Sequence, residues 1–188
     1  MQHSSDTYKL LGVDPGTNIL GYAIIEVRKK ELILVQHGVL ALHKYENHQL
    51  KLKRIFERIQ QLIDQFQPRE MAIEAPFFGK NVQSMLKLGR AQGVAIAAAI
   101  TKGVEMTEYA PKKIKQSVTG NGNASKEQVA AMLESILKQK LTQLSLDATD
   151  ALAAAVCHYY QSSSVLGKKG RYSGWKGFLD NNPGRVKK

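Results

Sequence analysis

Residues 8–27, Tyr-Lys-Leu-Leu-Gly-Val-Asp-Pro-Gly-Thr-Asn-Ile-Leu-Gly-Tyr-Ala-Ile-Ile-Glu-Val, set two apolar, β-rich runs on either side of a turn, Asp14-Pro15-Gly16-Thr17-Asn18. Such runs read as strands, and the Pro-Gly punctuation between them reverses the chain. A third run, Glu31 to Leu40, follows the charged turn Arg28-Lys29-Lys30, so the chain opens as a three-stranded antiparallel meander.

Beyond the meander, Leu52, Ile55, Phe56, Ile59, Leu62, Ile63 and Phe66 recur at steps of three and four, the stripe of an amphipathic helix that Pro68 ends. Met71 to Ala75 reads as a short buried strand stopped by Pro76, which has no amide to donate. Gln83 to Thr101 is apolar and small, with Gly89, Gly93 and Ala97 four apart on one helical face where another backbone, a second subunit included, can approach. Val104 to Tyr109 is a further strand, and Pro111 to Lys126 a polar, basic loop around Gly120-Asn121-Gly122-Asn123. Ser125 with Gln128 forms a capping box opening a helix to about Lys140. A last helix runs from about Leu146 to Gln161, with Leu152, Val156 and Tyr159 or Tyr160 as its core stripe. Cys157 and Met132 read as core fillers.

This order of elements demands a mixed sheet flanked by helices. The first and fourth strands lie parallel, joined by a right-handed crossover through the first helix, so their carboxyl ends share one edge of a cleft. The expected fold is α/β and ribonuclease H-like: five strands, 1–3 antiparallel and 1-4-5 parallel, in one domain over residues 1–161. Residues 162–188 form a separate basic tail, expected to be flexible because its Gly, Lys and Arg composition cannot bury enough apolar area to offset ordering.

The 188 residues carry a formal charge of +11, which favours polyanionic partners, nucleic acid first. Residues 165–188 hold seven basic side chains against Asp180, a net +6. That tail, with Tyr172, Trp175 and Phe178, could bind DNA, dock a partner or simply solubilise. One cysteine allows no intramolecular disulfide and no Cys/His zinc site. With no signal-like start and no apolar run of about 20 residues, the chain is expected to be cytoplasmic with no membrane contact.

Four carboxylates fall where the cleft would gather them. Asp14 ends the first strand, Glu74 lies near the end of the fourth, and Asp147 and Asp150 share a face of the last helix. Taken alone, Asp14 reads better as a turn residue and Asp147 better as a helix cap, whereas Glu74 inside an apolar strand needs a cationic partner. Together they suit a pair of magnesium ions, since hard cations take oxygen ligands and paired ions serve phosphoryl displacement. His158, eleven residues past Asp147, stands about 16 Å away along the axis and is no ligand.

Asp14-Pro15-Gly16, Ile73-Glu74 with Phe77, Lys87-Leu88-Gly89, Gly93-Val94-Ala95-Ile96, Glu108-Tyr109-Ala110 and Asp147-Ala148-Thr149-Asp150-Ala151-Leu152-Ala153 resemble, in order and spacing, the RuvC family of Holliday junction endonucleases. The likeness covers residues 8–161. It implies a homodimer that makes two symmetric nicks in a four-way junction, in recombination and repair, alongside the branch-migration proteins RuvA and RuvB. Asp14, Glu74, Asp147 and Asp150 would be the catalytic, metal-holding acids, binding two Mg2+ per subunit, with Mn2+ as a substitute. Phe77 or its neighbour Phe78 would meet an unstacked base. Lys115 and Lys126 would contact phosphates near the cut, Lys115 offsetting developing charge, while Lys112 and Lys113 beside them read equally as DNA contacts or as a solvated run.

Other readings differ in what they need. A ribonuclease H or a YqgF-like protein shares the early Asp-Pro-Gly but not the late Asp-x-x-Asp-Ala. Actin-like ATPases carry a similar first loop and require two such domains. A DNA-binding module that had lost its chemistry would have no use for the full acid set.

Overall fold

The computed structural model describes residues 7–76, 81–141 and 144–163. Five strands, β1 (Thr7–Asp14), β2 (Ile19–Arg28), β3 (Glu31–Ala41), β4 (Glu70–Glu74) and β5 (Glu105–Tyr109), form one sheet in the order β3-β2-β1-β4-β5. β1 pairs with β2 and β2 with β3 antiparallel, while β1 with β4 and β4 with β5 are parallel. This is the mixed sheet expected from the meander and the two single strands.

The helices are α1 (His48–Phe66), α2 (Val82–Thr101), α3 (Pro111–Thr119), α4 (Lys126–Leu137) and α5 (Leu146–Ser163). Strand alternation assigns their places. Leu11, Val13, Ile24, Met71 and Ile73 project to one face, where Ile55, Ile59 and Leu62 of α1 and Ala91, Ala95 and Ala98 of α2 cover them. Leu10, Ala23, Ile25 and Ala72 project to the other, under α3, α4 and α5.

Four sequence expectations need correction. Residues 111–119, read as loop, form α3: Pro111 sits at the first turn, where its missing N–H costs nothing, Ile114 and Val118 are buried four apart, and Gly120 closes the helix at φ 78°. The helix was hidden because only two apolar residues anchor it among lysines. Met132, read as a core filler, is 39% exposed on the outer side of α4, whose buried face is Val129, Leu133 and Leu137. The Ser125–Gln128 capping box is present, and α4 ends at Leu137 rather than near Lys140.

α5 is buried nearly all round from Ala148 to Tyr159, not along one stripe, because it lies between the sheet and α3 and α4. Its seat depends on two glycines. A Cβ on Gly12 would stand 2.0 Å from the Ala151 carbonyl oxygen, and one on Gly21 would stand 2.0 Å from that of Asp147. Both positions must lack a side chain for the helix backbone to touch β1 and β2. Further along, buried His158 ties α5 to the sheet through Glu70 Oε2 at 2.7 Å from Nε2 and the Tyr109 hydroxyl at 2.8 Å from Nδ1. Nε2–H donating to the carboxylate leaves Nδ1 to accept from the tyrosine, so every group is satisfied. His158 is thus a strut between helix and sheet.

Gly21→Val is expected to lower unfolding stability by at least about 3 kcal/mol, since the added carbons meet helix backbone that cannot yield. Urea denaturation measures this, and a midpoint close to wild type would show that α5 is not seated on that glycine.

Candidate active site

Asp14 is the last residue of β1 and pairs with Gly21, the glycine on which the Asp147 backbone rests. Val13 pairs with Ile73, so Glu74 of β4 lies at the same sheet edge. Leu10, Gly12 and Asp14 share one face of β1, and Ala72 and Glu74 the same face of β4, which is the face α5 covers. One turn into α5, Asp147 and Asp150 follow Ser145, whose hydroxyl accepts from the Ala148 amide at 3.3 Å and caps the helix. Asp147 is therefore not the cap, and is left free to face the sheet edge.

All four acids are half-buried and within electrostatic reach of one another. Burial, then the charges of Glu74, Asp150 and Asp147, push the Asp14 carboxyl up to about 8 against the pull of Lys126. Glu74 is raised to about 7 by burial and by Asp150, opposed by Lys126 and Lys115. Carboxyls that resist ionising near neutrality mark a pocket short of positive charge.

Two cations respond to that deficit. Lys126, at the first position of α4, donates to Asp150 Oδ2 at 2.6 Å, and this hydrogen bond holds its ammonium above the usual lysine range. Lys115 of α3 is half-buried and near enough to Glu74 to stabilise its carboxylate. Lys113 is exposed, and the side chain of Lys112 lies along Gly122, where a Cβ would stand 2.7 Å from its Cγ. Phe77 and Phe78 fall outside the described residues.

The chemistry of the donor set, four carboxylates with too little compensating charge, fits a hard divalent cation. As the side chains stand, no three described His, Cys, Asp or Glu residues are disposed to grip one ion, with Asp150 turned to Lys126. Among the described residues, sequence reading missed Gly12 and Gly21 as positioning residues. Their signal was present, glycines inside bulky strands, which mark close backbone approach.

The sign of the pH dependence follows from the raised carboxyls. Between about pH 4 and pH 8 the folded chain binds more protons at Asp14 and Glu74 than the unfolded chain, so cation-free stability falls as pH rises through that window. Asp14→Asn is therefore expected to be more stable than wild type at pH 8 without divalent cations, by about 2 kcal/mol or roughly 4–8 °C, with the gap nearly closed at about pH 4. Melting curves across pH in a chelator check this, and a gap independent of pH would remove Asp14 from the strained set.

The chain matches the family model for crossover junction endodeoxyribonuclease RuvC over residues 10–158. It is 63% identical over 178 residues to the RuvC of Cytophaga hutchinsonii, covering 95% of this chain and 88% of that one. Against the RuvC of Christiangramia forsetii the identity is 57% over 179 residues, covering 95% and 92%. The solved structure of Thermus thermophilus RuvC in complex with a Holliday junction substrate superposes with a TM-score of 0.77 at 31% identity, covering 82% of this chain and 94% of that one. With the acids at one sheet edge and family likeness across nearly the whole described chain, the protein belongs to the RuvC family of crossover junction endodeoxyribonucleases.

Proposed function

We propose that the chain resolves four-way (Holliday) DNA junctions by two symmetric, metal-dependent nicks, with Asp14, Glu74, Asp147 and Asp150 as the catalytic acids. The observation that carries this is the gathering of acids from two strands and a helix far apart in sequence, where burial and then Glu74, Asp150 and Asp147 raise Asp14, and burial and then Asp150 raise Glu74. The junction as substrate is supported by the Thermus thermophilus relative, solved with that DNA bound.

The four acids would hold Mg2+, two ions per subunit with Mn2+ substituting, which when bound would supply Lewis-acid stabilisation of attacking and leaving oxygens. The chain's own groups do the rest. Attack of water on phosphorus breaks the P–O3′ bond, leaving a 5′ phosphate and a 3′ hydroxyl that ligase can reseal. Lys115, held by α3 beside the acids, offsets the negative charge that builds on the scissile phosphate. Lys126 is paired with Asp150 and can trade that carboxylate for a phosphate oxygen as DNA arrives. Lys112 and Lys113 extend the basic approach to the backbone, and Phe77 or Phe78, following Pro76 just past Glu74, meets a base unstacked at the crossover.

Two symmetric cuts call for a twofold homodimer. Leu86, Gly89, Gly93, Ala97 and Ile100 lie along one exposed face of α2, with Leu86 51% and Ile100 61% exposed and nothing within 4 Å of a Cβ built at either glycine. No part of the described chain approaches that stripe, which suits it to a second subunit. RuvA and RuvB are the partners expected to deliver the junction.

Asp14→Asn, Glu74→Gln and Asp147→Asn are each expected to bind a synthetic junction with near wild-type affinity and to cut it at least about a thousandfold more slowly in magnesium, a loss of roughly 4 kcal/mol of transition-state stabilisation. Wild-type nicking by any of them removes that acid from the reaction. Lys115→Ala is expected to slow single-turnover cleavage by about 10²-fold with little change in binding. Gly93→Arg should shift the sedimenting species from dimer to monomer, and an unchanged dimer would place the interface elsewhere.

A further inference from the structure

The end of the molecule opposite the acids carries a feature the nuclease reaction does not use. β1 spans about 23 Å between Asp14 and Thr7, and at the Thr7 end the β2–β3 turn, the start of β3 and the last turns of α4 and α5 enclose two adjoining hollows of about 340 and 630 Å3. Tyr159 and Lys30 line both, Tyr8 and Tyr160 form walls, and Ile33, 38% exposed, borders the first. The Tyr159 hydroxyl donates to the Lys30 carbonyl at 3.3 Å and joins the two.

The rim is basic in an unusual way. Among the described residues four non-glycine positions have positive φ, and three of them, Lys29 at 45°, Lys30 at 77° and Lys138 at 52°, stand around these hollows. A two-residue hairpin turn with both central residues at positive φ favours Asn-Gly, and a left-handed helix end favours glycine. Lysine costs stability at each place, and strain of this kind persists where side chains serve a purpose. None of the three lysines forms an ion pair among the described residues, and Glu31 is the one acid on the lining.

We propose that this groove docks an acidic segment of a protein partner, its carboxylates met by Lys29, Lys30 and Lys138 and one aromatic or large aliphatic side chain seated in the first hollow against Tyr160, whose ring packs on that of Tyr159 with centroids 5.4 Å apart. Charge complementarity selects this occupant, because the lysine rim matches carboxylates, whereas the chain's own residues 165–188 carry a net +6 in sequence and offer no such match. The concave, tyrosine-walled interior suits an inserted side chain better than a stiff duplex backbone.

The test is fluorescence anisotropy on the full chain with a short labelled peptide rich in Asp and Ser and carrying one Phe. Wild type is expected to bind in a salt-sensitive way, K29E/K30E at least about tenfold more weakly, and the peptide with Ala for Phe more weakly again. Lys30→Gly is expected to raise the melting temperature while weakening the peptide several-fold, a pairing that a purely structural lysine would not produce. Junction cleavage should be unchanged in both variants. No binding by the full chain, equal binding by K29E/K30E, tighter binding of single-stranded DNA at the same lysines, or loss of cleavage in K29E/K30E would each overturn the proposal.

Discussion

Four carboxylates brought together in half-buried surroundings, with Lys115 and Lys126 the nearby lysines among the described residues, repel one another, and the rest of the fold serves to hold them there. Burial and mutual charge leave Asp14 and Glu74 reluctant to ionise near neutrality, so the folded chain bears an electrostatic cost that a polyvalent cation would relieve. Lys126 relieves part of it by pairing with Asp150. A pocket with this imbalance is poorly made for stability and well made for gathering cations beside a phosphate.

Holding repelling groups in place requires stiffness, and α5 supplies it. Its carbonyls press on β1 and β2 at Gly12 and Gly21, alanines at 148, 151 and 153–155 keep its flanks narrow, and His158 braces its far half through Glu70 and Tyr109. Tyr109 also accepts from the Ala75 amide at 2.9 Å, one residue beyond Glu74, so the same strut borders the strand end that carries an acid. Burial raises Glu70, but hydrogen bonds from His158 and Arg69 outweigh it and hold the carboxyl below its usual range, so this brace weakens as acid protonates it.

How far each part was legible follows from whether its signal was local. The meander, α1 and the α4 capping box were readable because alternation, a three-four stripe and a cap are written in neighbouring residues. α3 was not, since two buried residues among lysines look like a charged loop until α5 is present to bury them. Met132 misled for the same reason: a methionine near the middle of a helix is apolar by type, but its face is assigned by packing. The acids were picked out by type and by their places at strand ends and on a helix face. The pairing of Lys126 with Asp150 and the seating glycines required the fold.

The order of the elements, the mixed sheet, the excess positive charge and the four candidate acids can all be read along the chain, because each depends on residue type and short-range periodicity. Tertiary structure alone decided that Asp14 and Asp147 meet through Gly21, that α5 is buried all round, and that lysines with positive φ rim a groove at the opposite end. Those are contacts between residues far apart in the chain, set by register and by the depth to which a helix settles on a sheet, which no local pattern encodes.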